Sequence, residues 1–179
     1  MNYLQELWAA LDFGSLRNIL LRLASVFLCL TTHETCHGLA AYALGDPTAK
    51  RMHRLSLNPL RHIDWMGLLM MVTLGFGWAK PVPVDPRYFK KPKQGMALTA
   101  LAGPVSNFLL ALVLLVGARI MVDHAAYSAL NQGILDFLVS TAVLSIGLGL
   151  FNLVPIPPLD GAKVLFLSLI HISVPTRPY

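Results

Sequence analysis

Two histidines, His33 and His37, bracket Glu34 in the run His33-Glu34-Thr35-Cys36-His37. Each residue of a helix advances about 100°, so the two imidazoles stand about 40° apart, one turn above the other. Imidazoles on one face can share a metal ion. Glu34, next round the helix, can approach a water on that metal without becoming a ligand. This is the His-Glu-x-x-His arrangement, in which the carboxylate serves as general base. The pentapeptide alone recurs by chance in soluble helices, but its surroundings make it informative. It sits in an apolar run from Asn18 to Ala43, long enough to cross a bilayer. Imidazoles and a carboxylate are costly in hydrocarbon, so such a cluster points to function. A purely structural reading has the same side chains tie neighbouring helices together. Cys36 lies about 60° off the His33 line, away from Glu34, and is expected to pack rather than ligate.

Composition fixes the solvent. Of the 179 residues, 55% are hydrophobic and 13% charged, and the mean hydropathy is +0.61. Soluble domains average roughly 25% charged residues, so a single polytopic membrane domain is expected. The net charge of +5 does not imply nucleic acid, because the basic residues flank apolar spans. Nine of the 14 Lys and Arg fall between Lys50 and Lys93, which reads as the cytoplasmic side. The two cysteines, Cys29 and Cys36, are about 10 Å apart along one helix, too far to bridge. Met1 to Asp12 lacks a basic start, so no cleavable signal peptide is expected.

The metal-binding pattern needs helices to hold it. An all-α architecture follows, with three clear spanning helices, short re-entrant or interfacial segments and a minor β-like cytoplasmic loop. Met1 to Leu16 reads as an interfacial lead. The first span runs from about Asn18 to Leu44 and ends at Gly45-Asp46-Pro47, where Gly suits the C-cap and Pro cannot continue a helix. Arg54 to Leu57 alternates as a short strand, and Asn58-Pro59 reads as a turn. His53 and His62 are expected to be surface or interfacial residues. Trp65 to Trp78 is apolar but only about 14 residues long, roughly 21 Å against a core near 30 Å. Basic loops flank it on both sides, so it is read as re-entrant or interfacial, with Lys50 to Lys93 wholly cytoplasmic. Four prolines between Lys80 and Lys93 predict an extended loop.

The second span, about Gly95 to Val122, contains Gly103-Pro104-Val105-Ser106-Asn107. Asn107 in mid-membrane needs a partner, either an interhelical hydrogen bond or a contact to the metal site or a substrate carbonyl. Asp123 to Gln132 reads as an outside loop, and Asp136 as an interfacial residue. The third span, Gly133 to Leu153, breaks at Asn152-Leu153-Val154-Pro155-Ile156-Pro157-Pro158-Leu159-Asp160-Gly161. Unwound backbone at membrane depth is tolerated only where protein or water satisfies it, which implies a polar cavity around Asp160. Ala162 to Ile170 is too short to span.

Catalytic zinc usually takes three protein ligands and leaves one position for water. Among the remaining acidic residues, Asp160 alone lies in a broken, Pro-rich helix. Depth agrees: His33 and His37 sit in the last third of an inward-running helix, and Asp160 follows about 20 residues of another.

These elements together resemble the site-2 protease family of intramembrane zinc metalloproteases. The resemblance rests on His33 to His37, Gly103 to Asn107 and Asn152 to Gly161, and covers roughly Leu20 to Leu167. Gly45 to Arg51, Leu57 to Asp64 and Trp78 to Pro83 are similar to its small bacterial branch. The resemblance implies one zinc per chain held by His33, His37 and Asp160, Glu34 as base, and Asn152 near the scissile carbonyl. It further implies a transmembrane helix of a membrane protein as substrate, and a bacterial inner membrane with the site toward its cytoplasmic third. Three features depart from the pattern. Met52-His53 stands where the family often has glycine, and Trp65 replaces a frequent proline. Ser168 to Tyr179 resembles a translated sequencing-adapter tail, so the last helix is expected to be truncated and His171 to have no role.

The primary expectation is an endopeptidase acting on transmembrane helices. A metal or proton transporter using the same His and Asp side chains is the alternative, although transporters often carry paired repeats with two broken helices and this chain shows one. A non-catalytic binding module would have no need of Glu34.

Overall fold

The computed structural model describes residues 16–62, 64–74, 80–124 and 128–169. Three long helices dominate: α1 (Leu16–Ala43), α4 (Pro92–His124) and α5 (Ala129–Leu153). Shorter elements are α2 (Thr48–Arg51), α3 (Trp65–Leu74) and α6 (Asp160–Leu169), with single 3₁₀ turns at Pro59–Arg61 and Pro86–Tyr88. Helix α4 lies at the centre and packs against α1, α5 and α6. All three long helices are long and apolar enough to cross a membrane. Their 28, 33 and 25 residues correspond to about 42, 50 and 38 Å, beyond a hydrocarbon core of about 30 Å. All three begin before the bounds expected from hydropathy, at Leu16, Pro92 and Ala129 against Asn18, Gly95 and Gly133, because apolar pattern marks the hydrocarbon while a helix continues as far as its backbone bonds allow.

The packing is that of a membrane protein. Small and polar residues occupy the interior: Ala100, Ala111, Ala142, Thr141, Ser145 and Asn107 are all buried. Large apolar side chains such as Leu109, Leu112, Val113 and Val143 point outward. Between helices in lipid, close approach of small residues and shared polar bonds replace the hydrophobic drive. Ser25 and Thr141 hydroxyls meet at 2.7 Å and join α1 to α5, while Ser145 Oγ donates to the Asn107 carbonyl at 2.8 Å and joins α5 to α4.

Helix α1 ends as its sequence dictates. Gly45 has φ +104°, the Asp46 N–H reaches the Ala41 carbonyl at 2.9 Å, and the Gly45 N–H reaches Tyr42 at 3.0 Å. This is the Schellman pattern, which requires a left-handed residue just past the helix. Asp46 is fully buried and accepts from the Thr48 and Asp85 amides at 2.8 and 2.7 Å, tying that turn to the later loop. Helix α5 ends where Val154, extended at φ −62° and ψ 128°, precedes Pro155. The chain then turns and re-enters as α6.

The loop between α1 and α4 differs from expectation. Among the described residues no strand forms, and Arg54 to Leu57 is irregular. The Arg54 side chain donates to the Arg61, Lys80 and Pro81 carbonyls, and the Ser56 carbonyl is served by side chains rather than by a partner strand. His62 is buried rather than at the surface: Nε2 donates to the Ser56 carbonyl at 2.8 Å, and Thr35 Oγ1 on α1 donates to the same oxygen at 3.0 Å. Helix α3 covers ten residues, about 15 Å, well short of a span. The interfacial lead before Leu16, residues 75–79 and residues 170–179 with His171 lie outside the described residues.

His53 has φ +54°. That is the left-handed region, and it explains why glycine suits this position. A side chain there costs about 1–2 kcal/mol, partly offset by the extra freedom that Gly loses on folding. His53→Gly is therefore expected to raise stability by about 0.5–1 kcal/mol, read from the denaturation midpoint in detergent.

Candidate metal centre

Helix α1 and the first turn of α6 bring three ligand atoms together. His33 Nε2 and His37 Nε2 are 3.0 Å apart, and Asp160 Oδ2 lies 3.0 Å from the first and 2.9 Å from the second. All three residues are buried. Ligands of a tetrahedral zinc with bonds of about 2.0–2.1 Å are separated by roughly 3.3 Å, so the triangle is close to the size zinc requires. The chemistry of the donor set fits as well, with two imidazoles and one carboxylate.

The surrounding contacts aim these atoms. His37 Nδ1 lies 2.7 Å from the Thr99 carbonyl, which can only accept. Nδ1 therefore carries the proton, and the lone pair is on Nε2, facing the triangle. His33 Nδ1 lies 3.1 Å from Asn107 Nδ2, while Asn107 Oδ1 is buried without a partner among the described residues. A half turn of the amide exchanges the two atoms and lets Oδ1 accept from His33 Nδ1–H, the tautomer a ligand needs. Asn107 thus joins both alternatives left open by its sequence: it is an interhelical hydrogen bond and a contact to the site.

Two glycines create the room. A Cβ at Gly103 on α4 would lie 2.4 Å from His37 Nε2 and 2.7 Å from His33 Cε1. A Cβ at Gly161 would lie 2.2 Å from the Leu153 carbonyl oxygen, so glycine lets α6 press against the end of α5 and turn Asp160 inward. For Gly103→Ala, alanine gains about 1 kcal/mol of helix propensity, against about 1–3 kcal/mol for overpacking. The variant is expected to be less stable, with zinc affinity lowered about 10–100-fold as its histidines are displaced. Competition with a chromophoric chelator measures this.

Glu34, half-buried, shares a cavity of about 410 Å³ with His33, His37, Asn152 and Asp160. Its Oε2 accepts from the Val82 amide at 2.9 Å. Val82 stands between Pro81 and Pro83, so it carries the one N–H in that tripeptide. Arg54 holds this loop in place: its guanidinium donates to the Arg61 carbonyl and to the Lys80 and Pro81 carbonyls, the last two at 2.7 and 3.2 Å. Asn152 Nδ2 donates to the Leu148 carbonyl at 3.0 Å, and the amide nitrogen carries a second hydrogen. Cys36 is half-buried and is not part of the ligand cluster.

Residues 116–177 match the model of peptidase family M50. YwhC of Bacillus subtilis strain 168 is 41% identical over 146 residues, which is 79% of this chain and 65% of the relative. Over these residues the chain is similar to peptidase family M50. This is the site-2 protease family anticipated from the motifs. Rip2 of Mycolicibacterium smegmatis is 32% identical over 79% of the chain, and Rip2 of Mycobacterium tuberculosis H37Rv is 34% identical over 78%. All three relatives are named zinc metalloproteases. The chain spans 65% of YwhC and 54% and 53% of the two Rip2 proteins, less than two thirds of each. No solved structure matches it.

Thr99 and Arg54 carry no sequence signal for a site role, whereas Gly103 and Val82 lie in the stretches Gly103 to Asn107 and Trp78 to Pro83 that carry the resemblance. The Pro-Val-Pro tripeptide adds a signal of its own, since it isolates a single amide donor.

Proposed function

We propose that this chain is an intramembrane zinc metalloendopeptidase that hydrolyses peptide bonds in transmembrane helices of membrane proteins. One observation carries the reading: the His33–His37–Asp160 triangle and the Glu34 carboxylate face one cavity among helices whose outer surfaces are apolar. Zinc, when bound, supplies Lewis-acid polarisation of a peptide carbonyl and a water acidified to a pKa of about 7.

The chain's own groups do the rest. Glu34 takes the proton from the attacking water and returns it to the leaving amine nitrogen. The Val82 amide fixes the carboxylate's direction, so this proton has a defined acceptor. Asn152 donates its remaining Nδ2 hydrogen to the scissile carbonyl or its neighbour. The apolar outer faces of the three long helices meet lipid and admit a substrate helix laterally. Basic residues from Lys50 to Lys93 favour the cytoplasmic side for the loops and hence the cytoplasmic third for the site. A transporter of metal ions or protons would use the histidines and Asp160, yet would have no need of a carboxylate aimed by a backbone amide.

The test is cleavage of a transmembrane reporter in proteoliposomes, with and without a zinc chelator. Cleavage within the hydrophobic segment that stops on chelation and resumes with added zinc is expected. Zinc flux without cleavage would favour the transporter.

A further inference from the structure

Asp160 uses its two oxygens in opposite directions. Oδ2 faces both histidines, and Oδ1 accepts from Lys163 Nζ at 2.9 Å, one turn further along α6. Lys163 lines the same cavity, with its side chain 49% exposed while that of Asp160 is 8% exposed. An ion pair between two surface groups in a helix is worth little. This pair differs because one partner is a buried group of the ligand triangle.

We propose that Lys163 is a positioning residue that keeps Asp160 a one-oxygen ligand. A carboxylate can bind a metal through one or both oxygens, and the second would enter as a fifth ligand that crowds the water. An ammonium has three donors and no lone pair, so it can engage Oδ1 without itself competing for the metal. Held at 2.9 Å, Oδ1 is turned away from the triangle. This inference rests on the proposed zinc site and adds a role for a residue outside the ligand set.

The experiment replaces zinc by cobalt in the full chain and records its visible absorption, which is strong for four-coordinate Co²⁺ and weaker for five-coordinate. Lys163→Met is expected to retain one cobalt per chain, with bands weakened toward the five-coordinate form. Reporter cleavage in the zinc-loaded variant is expected to fall about 10–100-fold, in kcat rather than KM. Lys163→Arg, which still donates to Oδ1, is expected to restore both the spectrum and the rate. A wild-type spectrum and rate in Lys163→Met would overturn the proposal. So would loss of cobalt in that variant, because Lys163 would then retain the metal rather than direct the ligand. A wild-type chain that takes up no cobalt would sink the underlying zinc site instead.

Discussion

Glu34→Gln keeps one zinc per chain and loses about 10²–10⁴-fold in cleavage rate, the range general-base catalysis contributes. The amide has nearly the shape of the carboxylate, and its oxygen can still accept from the Val82 N–H that now lies 2.9 Å from Oε2. Helix α1 and both histidines therefore stay where they are. What the amide cannot do is accept a proton from water. Zinc content by elemental analysis and reporter cleavage, measured on the same preparation, separate the two effects. Near wild-type cleavage would remove Glu34 as the base. Zinc loss would make its role structural.

Asp160→Asn is expected to do the reverse and release the metal. The substitution removes the charge that faces His33 and His37 at 3.0 and 2.9 Å, and a neutral amide oxygen is a poor zinc ligand. The loss of affinity exceeds the roughly 10–100-fold typical of a supporting group, and His33→Ala and His37→Ala behave alike. Zinc remaining after desalting measures it. Full zinc content in Asp160→Asn would exclude Asp160 as a ligand.

These two variants rest on residues that the sequence made visible for different reasons. His33, Glu34 and His37 are legible because one helix carries all three, and helical spacing alone sets their geometry. Asp160 is remote in sequence and was reached through depth and the prolines that break the chain before it. The three long helices were equally legible, since apolar length reports the bilayer directly. Backbone groups were not. The Thr99 carbonyl and the Val82 amide orient His37 and Glu34, yet neither depends on the identity of the side chain that bears it. Arg54 was read as the start of a short strand because Arg54 to Leu57 alternates polar and apolar residues. It is in fact buried, and it donates to three carbonyls, of Arg61, Lys80 and Pro81. His62 misled for a similar reason: a histidine in a polar loop reads as exposed, and only the folded chain brings the Ser56 carbonyl to it.

X-ray absorption at the zinc edge of the purified wild-type chain tests the central claim most directly, because it reports the atoms around the metal. The arrangement of His33, His37 and Asp160 predicts a shell of nitrogen and oxygen at about 2.0–2.1 Å with imidazole scattering and no sulfur. A sulfur shell near 2.3 Å would bring Cys36 into the ligand set, and protein that binds no zinc would contradict the account outright.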